Sequence, residues 1–204
     1  MQTIDGVVSY ALPGRAQASL ISSGNEGDRF VLALLRACAD AIVVGAGTLR
    51  QEREHIWTPE FVYPEAADEF AGLRAAMRKA RHATIVFVSA SGDVDRDAPV
   101  FHADLPVRVI TGRKSARELV TEAGGGLVIC EGGPHLLALF LRERALDELF
   151  LTHAPRIAGR SNDAPRPSVI EGHAFAPEDA PSGQLHSLKR NGDFVFSRYR
   201  FAPP

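Results

Sequence analysis

Residues 41–48 read Ala-Ile-Val-Val-Gly-Ala-Gly-Thr. The short apolar run, rich in β-branched residues, is typical of a strand that is buried on both faces of a parallel sheet. A helical pattern precedes it: Asp28 is a suitable N-cap, and apolar residues follow at helical spacing, namely Phe30, Val31, Leu34, Leu35 and Cys38. A helix that leads directly into a buried strand predicts an α/β protein.

The same alternation continues along the chain. Further strands are predicted at residues 3–8, 84–88, 107–111, 127–130 and 147–152, and further helices at 66–80 and 135–144. Ser115 and Glu118 have capping-box spacing and open another short helix. Residues 51–64 are predicted to form a surface loop anchored by Trp57, and the proline-rich residues 154–183 are predicted to be mostly irregular.

The C-terminal end carries a hairpin signal. Asn191-Gly192 stands between two strand-like runs, residues 185–189 and 194–201. We therefore predict a single α/β domain over residues 1–204, with a mixed, mainly parallel sheet flanked by helices and a C-terminal antiparallel hairpin.

Composition and charge exclude several classes of protein. Of the 204 residues 45% are hydrophobic and 24% charged, which is ordinary for a globular domain, and the formal net charge is −2 without a basic block. Nucleic acid and anionic membranes are therefore poor partners, and we expect a cytoplasmic protein. Two cysteines and scattered histidines give no disulfide framework and no metal-ligand spacing, so we expect no metal site.

Two glycine turns follow predicted strands and favour a nucleotide. Gly45 and Gly47, with the hydroxyl of Thr48, allow close backbone approach to a phosphate, although a turn needed only for packing is the alternative. The second turn is Glu131-Gly132-Gly133-Pro134, where Pro134 fits the first turn of a helix whose free amides suit a pyrophosphate.

The ends of the other strands add further candidate contacts. Ser89 and Ser91 offer hydroxyl donors to a ribose or a phosphate, and Thr111 is followed by Arg113. Because the planar guanidinium matches a phosphate monoester, Arg113 is a candidate ligand for the 2′-phosphate of NADPH. In both places a solvated turn is the alternative.

Three carboxylates and one arginine lie near these loops. Glu131 has no evident structural purpose between a strand and a Gly-Gly turn, so we expect it to contact the amidine-like edge of a pyrimidine. Asp5, which precedes Gly6, is either a turn residue or part of the site. Glu52 follows the first glycine turn, and Arg36 is either a solvated helix residue or a ligand for a substrate phosphate.

Together these pieces resemble a known family, the C-terminal reductase domain of the bifunctional deaminase-reductases of riboflavin biosynthesis, which is related in fold to dihydrofolate reductase. The matching pieces span almost the whole chain: residues 4–6, 27–36, 40–48, 131–134, 146–149 and 154–155. The sequence is most similar to the stand-alone pyrimidine reductases. Glu52 stands where the family often has Asp, and Gly159-Arg160 replaces a commoner Gly-Gly.

The resemblance implies an NADPH-dependent oxidoreductase that reduces a ribosylamino-pyrimidinone 5′-phosphate to the ribitylamino compound. It implies cofactor contacts at Thr48 and along residues 133–137, which include His135 and Leu136, and substrate contacts at Glu131 and Arg36. Asp5 would lie near the nicotinamide, and Asp5 or Glu131, directly or through a water, is the candidate proton source. The cofactor contact of Glu52 is expected less firmly, because of its departure from the family pattern.

Two rival functions stay open, and a homodimer is expected. Reduction of dihydrofolate or another pterin on the same fold is one rival, and a non-catalytic nucleotide-binding homologue is the other. The family also implies a homodimer, for which the sheet-edge aromatics Phe150, Phe194, Phe196 and Tyr199 are suited. A monomeric mass in sedimentation at micromolar concentration would contradict the homodimer.

Overall fold

The computed structural model describes residues 1–12 and 17–202. Its contacts divide the chain into two compact units: unit I is formed by residues 25–133, and unit II by residues 1–24 and 134–204. The single domain expected over residues 1–204 stays a prediction, and each unit is described by itself.

The strands and helices follow in chain order. The strands are β1 (Gln2–Thr3), β2 (Ala41–Gly45), β3 (Thr84–Ser89), β4 (Val107–Thr111), β5 (Val128–Cys130), β6 (Glu148–Ala154), β7 (Gly183–Asn191) and β8 (Phe194–Phe201). The helices are α1 (Gln17–Ser22), α2 (Glu26–Cys38), α3 (Ala46–Gln51), α4 (Pro59–Val62), α5 (Ala67–Ala76), α6 (Ala116–Ala123) and α7 (Pro134–Arg142). Short 3₁₀ turns lie at Pro64–Ala66 and Pro99–Phe101.

Unit I is built on a parallel sheet with the strand order β4-β3-β2-β5. The central strands β2 and β3 are buried along most of their length, as the β-branched run at residues 41–44 predicts. Trp57 packs edge-on against Phe87 of β3, with ring centroids 5.2 Å apart. Since all four strands run the same way, their carboxyl ends lie at one edge of the sheet.

Helix α2 begins earlier than its apolar pattern indicates. Its N-cap is Asn25, whose side chain accepts from the amide of Asp28 at 3.0 Å, so the prediction of Asp28 as N-cap is wrong. The carboxylates of Glu26 and Asp28 instead lie in the first turn, where the helix dipole favours negative charge. At the other end, the buried guanidinium of Arg74 contacts carbonyl oxygens at the end of α2 and closes that helix.

Unit II contains a mixed sheet with the order β1-β6-β8-β7. Strand β1 pairs with β6 in parallel, and β6, β8 and β7 pair antiparallel. The predicted hairpin is confirmed, with Asn191 paired to Phe194 across the turn. The α/β class with a parallel sheet flanked by helices and a C-terminal hairpin is therefore confirmed, while the strands are distributed over two sheets.

Three local predictions are wrong in extent. The predicted strand 3–8 ends at Thr3, because the amide of Gly6 turns back to the carbonyl of Thr3 at 3.0 Å. The helix predicted to reach residue 80 ends at Ala76, since Arg78 has a left-handed φ of 56°. The loop predicted over residues 51–64 contains α4, which the Thr58 hydroxyl caps.

Strand β7 is an exposed edge of the unit II sheet. Leu185 is paired with Tyr199 and Leu188 with Ser197, so a bulge between them places both leucines on the same face. They are 52% and 61% exposed. An exposed apolar edge of this kind suits a second copy of the chain, and the homodimer stays a prediction. Every helix in the described part of the chain is too short or too polar to serve as a membrane span.

Candidate active site

The structure brings most of the predicted cofactor residues to one edge of the unit I sheet. Turns that follow β2, β3, β4 and β5 supply them: Gly45, Gly47 and Thr48; Ser89 and Ser91; Thr111 and Arg113; Glu131, Gly132 and Gly133. In open α/β sheets, ligands bind in the crevice outside the carboxyl ends of the strands. This edge, hereafter the strand-end edge, is therefore the candidate site of unit I.

Two glycine turns lie in direct contact at this edge. The amide of Gly45 donates to the carbonyl of Gly132 at 2.7 Å, and the Gly132–Gly133 peptide is cis. A Cβ atom on Gly45 would lie 3.3 Å from the amide nitrogen of Gly133, and one on Gly133 would lie 3.3 Å from the hydroxyl of Thr48. The approach of the two turns therefore depends on glycine at both positions.

Helix α3 starts within the first of these turns. Gly45 is its N-cap, and Gly47 and Thr48 lie in the first turn instead of in an open loop. The amides at the start of a helix have no partner within that helix, so those of Ala46, Gly47 and Thr48 are directed outward. The turn consequently offers backbone donors beside the Thr48 hydroxyl.

The two serines after β3 have different surroundings. Ser89 is buried, and its hydroxyl donates to the carbonyl of Asp93 at 3.0 Å. Ser91 is exposed, and its hydroxyl accepts from the amide of Asp93 at 3.3 Å. Both hydroxyls therefore shape the turn itself, and Ser91 is the more accessible of the two.

Arg113 lies on the turn after β4, and its contact with a cofactor stays a prediction. Thr111 and Arg113 are exposed, whereas the neighbouring Lys114 forms an ion pair with Glu122 at 2.7 Å. Within residues 1–12 and 17–202, the guanidinium of Arg113 forms no ion pair. Arg113 is thus exposed at the strand-end edge without an acidic partner.

Arg36 and Glu131 form a buried ion pair behind this edge. The Arg36 side chain is 1% exposed and that of Glu131 10%. Nε and Nη2 of Arg36 donate to the two carboxylate oxygens of Glu131, each at 2.7 Å, in a bidentate arrangement. Such paired contacts fix both the orientation and the distance of the two groups.

The remaining donors of Arg36 are also used. Nη1 donates to the carbonyl oxygens of Ile56 and Thr58 at 3.3 and 3.2 Å, and Nη2 contacts Nε2 of His55 at 2.9 Å. All five N–H groups of the guanidinium therefore have partners. In this structure no N–H group of Arg36 remains for a phosphate, and a contact of Arg36 with a substrate phosphate stays a prediction.

His55 has a defined protonation state. An arginine only donates, so Nε2 of His55 accepts and the proton resides on Nδ1. Burial and the neighbouring Arg36 guanidinium lower the pKa of His55 to about 3, and the imidazole is neutral near pH 7. Its Nδ1 lies 3.9 Å from a carboxylate oxygen of Glu52. Glu52 is thus placed beside His55, and its contact with a cofactor stays a prediction.

The sequence analysis did not identify His55, Ile56 and Thr58 as part of the site. Two of these residues contribute main-chain carbonyls, which carry no side-chain signal. The histidine lies next to Trp57 and Phe61, with ring centroids 4.9 Å away in each case. A polar residue within such an apolar cluster is the one sequence feature that could have indicated it.

Asp5 belongs to unit II and is held as a carboxylate. Its oxygens accept from the hydroxyl of Thr3 at 2.6 Å and from the amides of Ala158 and Gly159 at 3.0 and 2.7 Å. These hydrogen bonds, that of Thr3 first, hold the pKa of Asp5 well below its ordinary value. This environment favours the ionised form of Asp5, and its role in proton transfer stays a prediction.

Pro134, His135 and Leu136 form the first turn of α7 in unit II. Pro134 at the first helical position confirms the expected local structure. Leu136 is buried, whereas His135 is exposed and lines a cavity of about 600 Å³. Contact of these residues with a cofactor stays a prediction.

The surroundings of Cys130 disfavour a nucleophilic thiol. Desolvation raises the pKa of the Cys130 thiol to about 11, which disfavours the nucleophilic thiolate. Among residues 1–12 and 17–202, no three His, Cys, Asp or Glu side chains are grouped so that they could hold a metal ion.

Comparison with known proteins now identifies the family. The model of the RibD C-terminal domain matches residues 1–177. The chain belongs to this family. The resemblance of its glycine turns and of residues 4–6 and 146–149 to riboflavin-biosynthesis reductases is thereby confirmed. No curated protein matches the chain significantly.

Solved structures of RibD-type proteins share the fold. A pyrimidine reductase-like protein from Corynebacterium diphtheriae superposes with a TM-score of 0.74 at 22% identity, over 100% of this chain and 90% of that one. A deaminase/5-amino-6-(5-phosphoribosylamino)uracil reductase from Thermotoga maritima gives 0.68 at 18% identity, over 98% of this chain and 54% of that one. RibD from Acinetobacter baumannii gives 0.66 at 15%, over 98% and 56%. The chain thus spans about half the length of the latter two proteins.

Proposed function

We propose that this RibD C-terminal domain is an oxidoreductase of the pyrimidine reductase type, which uses NADPH to reduce a ribosylamino-pyrimidinone 5′-phosphate to the ribitylamino compound. The observation that carries the proposal is the family match over residues 1–177. The geometry of the strand-end edge and the bidentate Arg36–Glu131 pair are consistent with it.

The glycine turns of the strand-end edge fit a dinucleotide. Gly45 and Gly133 leave no side chain between the two turns, and the first amides of α3 lie beside the Thr48 hydroxyl, so we propose these groups as the phosphate ligands. When bound, NADPH would supply the hydride. The contribution of Thr48 and the turn amides is then to bind and orient the cofactor.

Glu131 is the proposed substrate ligand of unit I. The bidentate pair with Arg36 occupies one lone-pair direction on each carboxylate oxygen, and the other directions can accept from the amino edge of a pyrimidine. In its pair with Arg36, Glu131 accepts a hydrogen bond on each carboxylate oxygen. Hydrogen bonds hold the pKa of Asp5 below its ordinary value, and we propose that an ordered water supplies the proton to the oxygen of the reduced carbon.

NADPH oxidation with two substrates in parallel tests this function. We expect turnover of the deaminated ribosylamino-pyrimidinone 5′-phosphate and none of dihydrofolate. Turnover of dihydrofolate alone would replace the proposal with a pterin reductase. Absence of both, with measurable NADPH binding, would support a non-catalytic homologue.

Substitution of Glu131 separates substrate binding from cofactor binding in the same assay. Glu131→Gln should lower kcat/KM at least about tenfold, because a charge-assisted contact contributes roughly 1.5 to 3 kcal/mol. The Kd for NADPH should stay within about twofold. Glu65→Gln removes an exposed carboxylate of unit I and is the matched control. Equal losses in the two variants would contradict the role of Glu131.

Arg113 should determine the preference for NADPH over NADH. Arg113→Ala should weaken NADPH binding about tenfold, the lower end expected for a charge-assisted contact at an exposed site, and leave NADH binding unchanged. Arg117→Ala, an exposed arginine of α6, is the control. Fluorescence titration of both nucleotides measures the effect, and equal Kd values for NADPH and NADH in the unsubstituted chain would contradict it.

A further inference from the structure

Unit II contains a cavity of about 600 Å³ with a mostly polar lining. It lies between the start of α7 and the irregular segment 155–182, and its lining includes His135, Arg160, Asn162, Arg166, Ser168 and Glu171. Two arginines against one glutamate give this lining an excess of positive charge. None of these residues except His135 belongs to the site predicted from the sequence.

Both guanidinium groups are fixed by main-chain carbonyls. Arg160 donates from Nε to the carbonyl of Arg166 at 3.0 Å and from Nη2 to that of Gly6 at 2.9 Å. Arg166 donates from Nη1 to the carbonyls of Ala158 and Gly159, and it stacks on the ring of Tyr10 at 4.9 Å. The two cations are thus pre-positioned, which reduces the entropy lost when a ligand binds.

The protein does not use all the donors of these two groups. Among the residues that the structure describes, Nη1 of Arg160 and Nη2 of Arg166 have no acceptor, and Nε of Arg166 is buried without one. The two terminal nitrogens can therefore donate to a ligand in the cavity, whereas the buried Nε of Arg166 is out of its reach.

Among the described lining residues, Glu171 is the one carboxylate, and it does not contact Arg160 or Arg166. Glu171 accepts from the amide and the hydroxyl of Ser168 at 2.6 and 3.0 Å, and these bonds, with the nearby cations, lower its pKa. In the described part of the chain no ion pair joins Glu171 to Arg160 or Arg166. The positive charge of the two guanidinium groups is therefore available to a ligand.

We propose that this cavity is a binding site for a phosphate monoester. The planar guanidinium matches a phosphate in charge and geometry, and a volume of about 600 Å³ accommodates the organic group that carries it. The cavity alone supports the phosphate class. Its source rests on the proposed function: it is the pentose 5′-phosphate of the substrate, or the 2′-phosphate of the nucleotide if Arg113 does not hold that group. Arg36 does not compete for this role, since its donors are all used.

Two substitutions with opposite expected signs test the site in the full chain. Asn162→Asp adds a negative charge to the exposed lining and should weaken binding of inorganic phosphate and of ribose 5-phosphate at least about fivefold. Glu171→Gln removes the only carboxylate of the lining and should tighten both by a similar factor. Asn191→Asp is the matched control, because Asp-Gly supports the same hairpin turn as Asn-Gly. Calorimetry at low ionic strength measures all four chains.

The source is distinguished by competition. Displacement of bound inorganic phosphate by ribose 5-phosphate but not by adenosine 2′-phosphate assigns the cavity to the substrate. The reverse result assigns it to the nucleotide and contradicts the role of Arg113. The proposal is wrong if neither inorganic phosphate nor ribose 5-phosphate binds, or if the Asn162→Asp and Asn191→Asp chains have equal Kd values. NADPH oxidation is followed separately: loss of turnover with phosphate binding intact contradicts the proposed function alone, and turnover without phosphate binding contradicts the cavity alone.

Discussion

Replacement of Arg36 by alanine is expected to lower the free energy of unfolding by about 3 to 5 kcal/mol, the range for breaking a buried ion pair by removal of one partner. The truncation leaves the Glu131 carboxylate, 10% exposed, without its bidentate partner. It also leaves the carbonyl oxygens of Ile56 and Thr58 without their donor. Urea unfolding followed by the fluorescence of Trp57, the single tryptophan of the chain, measures the change.

Arg29→Ala is the matched control on the same helix. The ion pair of Arg29 with Glu65 is partly exposed, so its loss should cost only about 1 kcal/mol. Arg36→Ala costing no more than Arg29→Ala would show that the buried pair contributes little. A phosphate ligand at Arg36 would show the opposite pattern, with KM raised and stability unchanged.

A double substitution distinguishes loss of the pair from loss of packing. In Arg36→Met with Glu131→Leu neither charge remains buried without a partner, so the double variant should recover much of the stability lost by Arg36→Ala. Full recovery is not expected, because Ile56 and Thr58 still lack a donor. A double variant less stable than Arg36→Ala would contradict this account.

Sequence pattern predicted the elements whose signal is local. The β-branched run at residues 41–44, the capping box at Ser115 and the Asn191-Gly192 turn each have a cause within a few residues, and each is confirmed. The ends of elements were less predictable. The end of α5 depends on the left-handed backbone of Arg78, a conformation that arginine does not favour.

The candidate site was only partly predictable, for a physical reason. The position of the strand ends follows from the parallel sheet. The partner of Glu131, however, is Arg36, which is 95 residues away in sequence. Arg36 lies on α2, and the apolar pattern of that helix predicted that a different face of it is buried. Phe30 is 42% exposed, whereas Arg36 is buried together with Ala33 and Ala37. Alanines close to an arginine on a helix leave room for its guanidinium, and that was the available signal.

The pH dependence of stability should report on His55. Its pKa is about 3 in the folded chain, against an ordinary value of 6.5 in the unfolded chain. Below pH 6.5 the unfolded chain therefore binds a proton that the folded chain does not. The free energy of unfolding then decreases by up to about 1.4 kcal/mol for each unit by which the pH is lowered. Between pH 6.5 and 4.5 this amounts to roughly 2 to 3 kcal/mol. Above pH 7 the slope due to His55 decreases toward zero.

His55→Gln isolates this contribution, because glutamine keeps an acceptor for Arg36 and does not titrate. The pKa of His153 is also lowered by burial, and those of Asp5, Asp40 and Glu148 are lowered by their hydrogen-bond partners, but these groups are common to both chains and cancel in the difference. Urea unfolding at intervals from pH 7.5 to 4.5 should therefore show a shallower slope in His55→Gln, with the two curves converging as the pH falls. His186→Gln, an exposed histidine of β7, should follow the unsubstituted chain. Parallel curves for the His55→Gln and unsubstituted chains would mean that His55 takes up its proton in the folded state as readily as in the unfolded one, and Nε2 would then not be the acceptor that orients Arg36 toward Glu131.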